Sequence, residues 1–255
     1  MNKIIKYVLY DIIRNKIVLA YTVFLLVLSI GLFNLGGNPE KAVLSLLNLV
    51  LLTVPLISIV FATTHFYNSY EFMELLVAQP INRKKIFLSE YYGVAFSLSA
   101  AFLLGVGVPV LLFGASLTGL YLVLTGVFIT FIFVAMAFLA SVITRDKAKG
   151  IGVALLLWFY FALIYDGIVL FILHYFSDYP LEYASLALTA LNPIDLGRIN
   201  VLLNLDVSAL MGYTGALYKS IFGSIWGISL SFGLMLLWVL FPVLSSKRIF
   251  SKRDL

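Results

Sequence analysis

Long stretches without a single charged side chain constrain this chain more than anything else in it. Between Tyr91 and Thr144 there are 54 consecutive residues with no Asp, Glu, Lys or Arg, and similar but shorter gaps recur on either side. About 20 apolar residues cross the hydrocarbon of a bilayer once, so such runs predict membrane spans. Only 11% of the chain is charged and 62% is hydrophobic, too little charge for a soluble surface and too much apolar side chain for a disordered one.

Turn chemistry cuts the runs into helices. Ile17–Phe33 is the apolar part of the first, ended by Gly36-Gly37-Asn38-Pro39. Ala42 to about Thr64 is the second, with Pro55 inside it as a kink site. The 54-residue run is divided at Gly114–Gly119 into helices three and four. Ile151 to about His174 is the fifth, and Ser220 to about Leu244 the sixth. The expected fold is therefore all-α, a single polytopic membrane domain over residues 1–255 with six transmembrane helices.

Basic residues test the count. Six spans gather the two termini and the loops after helices two and four on one side, with Lys3, Lys6, Arg14 and Lys16, then Arg83–Lys85, then Arg145, Lys147 and Lys149, and finally Lys247, Arg248, Lys252 and Arg253. The other side keeps Lys41, Arg198 and Lys219. Positive loops stay inside, so both termini are expected in the cytoplasm and the chain in the inner membrane. Clusters placed this way set topology; they are not a nucleic-acid surface.

Three segments are expected not to span. Residues 1–16 put Ile4, Ile5, Val8, Leu9, Ile12 and Ile13 on one helical stripe, opposite Lys3, Lys6, Asp11 and Arg14. That pattern predicts an amphipathic helix lying on membrane lipid, its lysines toward the head groups. Residues 65–90 form a loop on the basic side, and 175–219 a long one on the other. In the second, Leu191-Asn-Pro-Ile-Asp-Leu-Gly-Arg198 reads as a turn entering a short helix.

Within the 65–90 loop, Glu71, Glu74 and Leu75 fall at i, i+3 and i+4, giving a short helix, stopped by Pro80, one acidic and apolar face. Such a face suits a groove on a soluble partner, although a solvated loop obeying charge topology fits the composition as well. Asp166, alone in the fifth helix, reads as a residue at the outer water boundary in preference to a gate. Gly223, Gly227 and Ser231 form a small-residue stripe for close helix packing, within one chain or between two.

Catalytic and metal chemistry find no support. There is no cysteine, no His-Glu-x-x-His, and no Gly-Lys pair from which a P-loop could be built. His65 and His174 are expected near opposite faces, where they cannot share an ion. No cofactor is expected on this chain, and any ATP hydrolysis is expected in another polypeptide.

Glu74-Leu-Leu-Val-Ala-Gln-Pro-Ile-Asn-Arg-Lys-Lys-Ile-Phe-Leu88 closely resembles the loop after the second helix of type-2 ABC transporter permeases. The six-span layout, amphipathic N-terminus and long outer loop are similar to that family too. The resemblance implies that Tyr70, Glu71, Phe72, Met73, Glu74, Leu75 and Leu76 belong to a coupling helix seated in a cytoplasmic ATPase subunit. Where the family often has Gly-Thr, this chain has Glu71-Phe72. More narrowly, Leu191–Arg198 and Ala209–Ala216 resemble permeases that serve nitrous-oxide reductase maturation. That resemblance implies a periplasmic β-helix protein as a further partner, with Asn192, Pro193, Asp195 and Arg198 as contact candidates, and a role in assembling the reductase copper centre. Two copies of a six-helix chain would complete the pathway. The competing classes are another exporter of the same type and an ion-driven secondary transporter. The second would show inverted repeats with broken helices, and no convincing pair is present.

Overall fold

The computed structural model describes residues 2–35, 37–144, 146–177, 179, 181–203 and 225–252. Among these, six helices are long and apolar enough to cross a membrane: Lys16–Leu35, Pro39–Asn68, Arg83–Phe113, Leu117–Ile143, Lys147–Tyr175 and Trp226–Lys252. They are called spans one to six. All regular structure in the described residues is helical, so the chain is an all-α polytopic membrane protein.

The boundaries follow from local chemistry. After span one, Gly37 takes a left-handed φ of 57°, a conformation glycine adopts without steric penalty. The Asn38 side chain then accepts from Glu40 N–H at 2.9 Å, with Pro39 in the first turn of span two. Ser116 caps span four by accepting from Gly119 N–H at 3.1 Å, and Asp146 caps span five by accepting from Lys149 N–H at 2.8 Å. Several hydroxyls within the spans turn back to their own helix, as with Thr63 to Ile59 O at 2.7 Å and Thr130 to Gly126 O at 2.8 Å. In lipid no water offers them an alternative.

Span four is the centre of the bundle. Spans two and six and the outer helix Pro193–Leu202 all pack against it, and 67% of its apolar window is buried, against 11% for span five. Span five therefore packs on spans two and four along one side and leaves most of its surface to lipid or to another protein. Glycine sets the closest approaches. A Cβ on Gly105 would sit 2.6 Å from Leu25 Cβ and 3.0 Å from Thr22 O, and one on Gly126 would run into the Phe102 ring. Gly105 lies in a π turn, Leu103–Gly107, just ahead of Pro109. The wider turn accommodates the missing proline N–H, so span three continues to Phe113 without a break. A second π turn, Tyr160–Ile164, interrupts span five.

The structure adds detail to several expectations. The N-terminal helix, Asn2–Ile13, does not merely lie on lipid. It packs along span three, with Val8 and Ile12 buried and Val8 against Gly93, where any Cβ would strike it. Ile13 from the same stripe is 50% exposed. Span six continues eight residues beyond Leu244, carrying Lys247 and Arg248 within the helix. The long segment after span five holds two helices, Glu182–Ala190 and Pro193–Leu202, and the second is built into the bundle. A Cβ on its Gly197 would come within 2.8 Å of Thr125 in span four.

Candidate functional site

Span two runs to Asn68, and after Ser69 the chain turns into the two-turn helix Tyr70–Val77. Eight residues cannot hold a helix in water unaided, and the burial pattern shows what holds this one. Met73 and Leu76 point inward, 0% and 8% exposed, while Glu71, Glu74 and Leu75 face out. Phe72 stacks on Tyr7 of the N-terminal helix at 5.3 Å between ring centroids, and Tyr70 is half-buried. Leu75 is 67% exposed between two carboxylates. Covering a leucine of this kind releases about 1.5–3 kcal/mol, so the outward face combines an apolar centre with an acidic rim. The helix ends at Val77, three residues before Pro80, and Asn82 caps span three by accepting from Lys84 N–H at 2.9 Å. Arg83, Lys84 and Lys85 follow at once.

At the opposite end of the bundle, the expected turn at Asn192 is present and carries more than a cap. The Asn192 side chain accepts from Ile194 N–H at 3.0 Å and donates to Phe161 O, in the π turn of span five, at 3.1 Å and to Asp195 Oδ2 at 3.0 Å. Arg198 donates to Asp195 at 2.9 Å and to Asp166 at 3.3 Å. Asp166 is thus ion-paired to the outer helix, a link of 32 residues in sequence that no spacing rule reveals. Burial pushes the Asp195 carboxyl up to about 6; Arg198 pulls it down less strongly, and the Asp166 charge adds to the rise. The three ionic groups border an otherwise apolar cleft of about 350 Å³. Asn192 and Pro193 are buried inside the chain, whereas Arg198 is 36% exposed and Asp195 15%. Two further bonds anchor this region, Tyr165 OH to Leu188 O at 2.5 Å and Trp238 Nε1 to Ala190 O at 3.1 Å.

Among the described residues no cluster of three or more His, Asp or Glu could hold a metal ion. Gly227 and Ser231 are buried in the chain's own bundle, in line with Met235 at the same four-residue spacing. Gly223 and the Ala209–Ala216 motif lie outside the described residues. Sequence reasoning overlooked Glu90, which is 2% exposed in span three and meets His65 of span two at 3.3 Å. Its position at the edge of the longest charge-free run was the available signal.

Residues 48–255 match the family model for the ABC-2 family transporter protein. Two proteins, each named as a probable ABC transporter permease protein NosY, are similar over most of the chain. That of Stutzerimonas stutzeri is 27% identical over 213 residues, 75% of this chain and 77% of its own length. That of Pseudomonas aeruginosa is 28% identical over 225 residues, 80% of this chain and 82% of its own length. With spans, short acidic helix and family match coinciding, the chain belongs to the ABC-2 transporter family and is a permease subunit of an ABC transporter.

Proposed function

We propose that an ATPase subunit docks on the outward face of Tyr70–Val77, and that this permease passes the resulting motion to the other side of the membrane in support of nitrous-oxide reductase copper-centre assembly. The observation that carries the docking is the division of one short helix into an inward anchor, Met73 and Leu76, and an outward Glu71, Glu74 and Leu75. Arg83, Lys84 and Lys85 beside it support a cytoplasmic position, because positive loops remain inside. The bundle then sits in the inner membrane with both termini cytoplasmic, and a second copy of the chain completes the assembly. Similarity to the two NosY proteins supports the narrower role. Asp195 and Arg198, the members of the outer set with accessible surface, are the contacts for a periplasmic β-helix partner.

The docking is tested by the double reversal Glu71→Lys/Glu74→Lys. Both side chains are exposed, so the bundle folds, while like charge placed against a complementary groove costs several kcal/mol. Loss of ATPase co-purification is expected; undiminished assembly overturns the dock. The narrower role is tested by isolating the chain from native membrane. Recovery with an ATPase and a periplasmic β-helix protein is expected, and recovery of the chain alone, with ion-driven uptake intact, would reject it.

A further inference from the structure

Phe61, His65 and Ser69 follow one another at four-residue spacing along the last turns of span two and its junction with the coupling helix. The His65 ring lies nearly flat on Phe61, with centroids 6.0 Å apart and planes at 13°. Its Nε2 is the meeting point of two oxygens, Glu90 Oε2 at 3.3 Å and Ser69 Oγ at 3.3 Å. Glu90 is 2% exposed, and among the described residues its Oε1 is buried with no partner. A carboxyl group held this deep in a membrane-spanning helix is costly and invites a functional explanation.

Ser69 provides one. Serine is among the favoured N-cap residues because its hydroxyl accepts from an N–H of the first turn. Ser69 occupies that position for Tyr70–Val77, yet its side chain caps nothing, and its φ of −88° and ψ of 5° lie outside the extended region of a normal cap. The hydroxyl is turned back to His65 instead. Ser69 N–H donates to His65 O at 2.9 Å, and Met73 N–H donates to Ser69 O at 2.9 Å. The start of the coupling helix is therefore held through His65 in place of its own cap.

We propose that Glu90 and His65 are positioning residues for coupling: Glu90 fixes the His65 ring, His65 holds Ser69, and the coupling helix is thereby tied to span three as well as to span two. This rests on reading Tyr70–Val77 as the ATPase dock. Either protonation pattern serves. In one, Nε2–H donates to Glu90 Oε2 with Ser69 Oγ as second acceptor; in the other, the Ser69 hydroxyl donates to a bare Nε2 and Glu90 is left as its close neighbour. Because only one carboxyl oxygen is engaged, the contact is held at a single point and can be released. A cleft of about 370 Å³ beside His65 gives the ring room to turn.

The absence of cysteine allows spin labels at Gln79→Cys and Ala148→Cys, both exposed, with no background labelling. Distances between them are measured on the chain in lipid nanodiscs, and ATP hydrolysis on the reconstituted complex. Diluted with unlabelled chain so that only label pairs within one chain are read, the chain with Ser69 and Glu90 intact should give one narrow distance. Ser69→Ala, which removes one hydroxyl and cannot unfold the bundle, should populate a second distance and lower permease-stimulated hydrolysis about fivefold, the factor carried by one hydrogen bond of ordinary net strength. Glu90→Ala should do the same, and Glu90→Gln, whose amide still reaches His65, should restore the narrow distance. Co-purification of the ATPase should persist throughout. An unchanged distance and rate in Ser69→Ala, or equal effects of Glu90→Gln and Glu90→Ala, would overturn the proposal. If Glu71→Lys/Glu74→Lys assembles normally while Ser69→Ala shifts the distance, the dock is wrong and the positioning contact stands.

Discussion

Replacing Asn192 by alanine removes a side chain whose hydrogen-bonding groups are fully used in a site with no exposure. The substitution leaves Ile194 N–H without its cap and Phe161 O without its partner from the outer helix. Loss of such a cap costs about 1 kcal/mol, and a buried polar group left unsatisfied costs about 1–3 kcal/mol. The two together predict a loss of about 3 kcal/mol, since part of the damage relaxes. Asn192→Asp separates the terms. It keeps an acceptor for Ile194 N–H but cannot donate to Phe161 O, and it sets a second carboxylate against Asp195. It should therefore be no better than alanine even though aspartate is an equally good cap. Titration of the purified chain with sodium dodecyl sulfate in mixed micelles measures both losses, and Trp238, bonded to Ala190 O, gives a local fluorescence signal. A loss below about 0.5 kcal/mol for Asn192→Ala, the ordinary scatter of a surface substitution, would show that the outer helix does not depend on this residue. Recovery of stability in Asn192→Asp would show that capping alone matters.

Further outcomes follow from other contacts. Gly105→Ala places a methyl group 2.6 Å from Leu25 Cβ and should cost about 1–3 kcal/mol in the same titration. Gly31→Ala, with open space around it, should be neutral or gain up to about 1 kcal/mol. Tyr7→Ala removes the ring stacked on Phe72 and should free the N-terminal helix from Tyr70–Val77, at a cost of about 0.5–1.5 kcal/mol, seen as faster proteolysis near Arg14. The Asp195 carboxyl is raised in the folded chain, so the fold binds its proton more tightly than the unfolded chain does. Its contribution to stability is complete below the ordinary carboxylate value and is lost as pH rises through about 6. The difference in stability between the unaltered chain and Asp195→Asn should therefore change by up to about 3 kcal/mol between pH 3.5 and 7; a flat difference would contradict the shift.

The spans were legible because a bilayer leaves a record in sequence: lipid excludes charge over a fixed thickness, and Asn38, Ser116 and Asp146 mark the helix starts by chemistry that is local. The face of Tyr70–Val77 that carries Glu71, Glu74 and Leu75 was legible as a helical period written within eight residues, whereas the inward turn of Met73 and Leu76 was not. What escaped depends on distant partners. Nothing near Glu90 signals His65, and nothing near Asp166 signals Arg198; each pair is made by the crossing of helices. The stripe on the N-terminal helix was visible, but its acceptor was not, since Gly93 gains meaning only when Val8 lies against it. The π turns leave no period of their own, and Asn192 advertised its cap without advertising its reach to Phe161.

Span five packs on spans two and four along one side, with Gly150 against the Tyr67 ring and Phe161 on Trp238, and is pinned there by polar contacts: Trp158 to Leu52 O at 3.3 Å, the Asn192 bond to its π turn, Tyr165 to Leu188 O, and Asp166 to Arg198. A surface turned to lipid meets acyl chains of no fixed register, whereas each of these directional bonds is satisfied in one register of the two helices. A displacement of span five would have to break these bonds and part the Phe161–Trp238 ring contact together, so its outward-facing surface is borne on a side that is held in register.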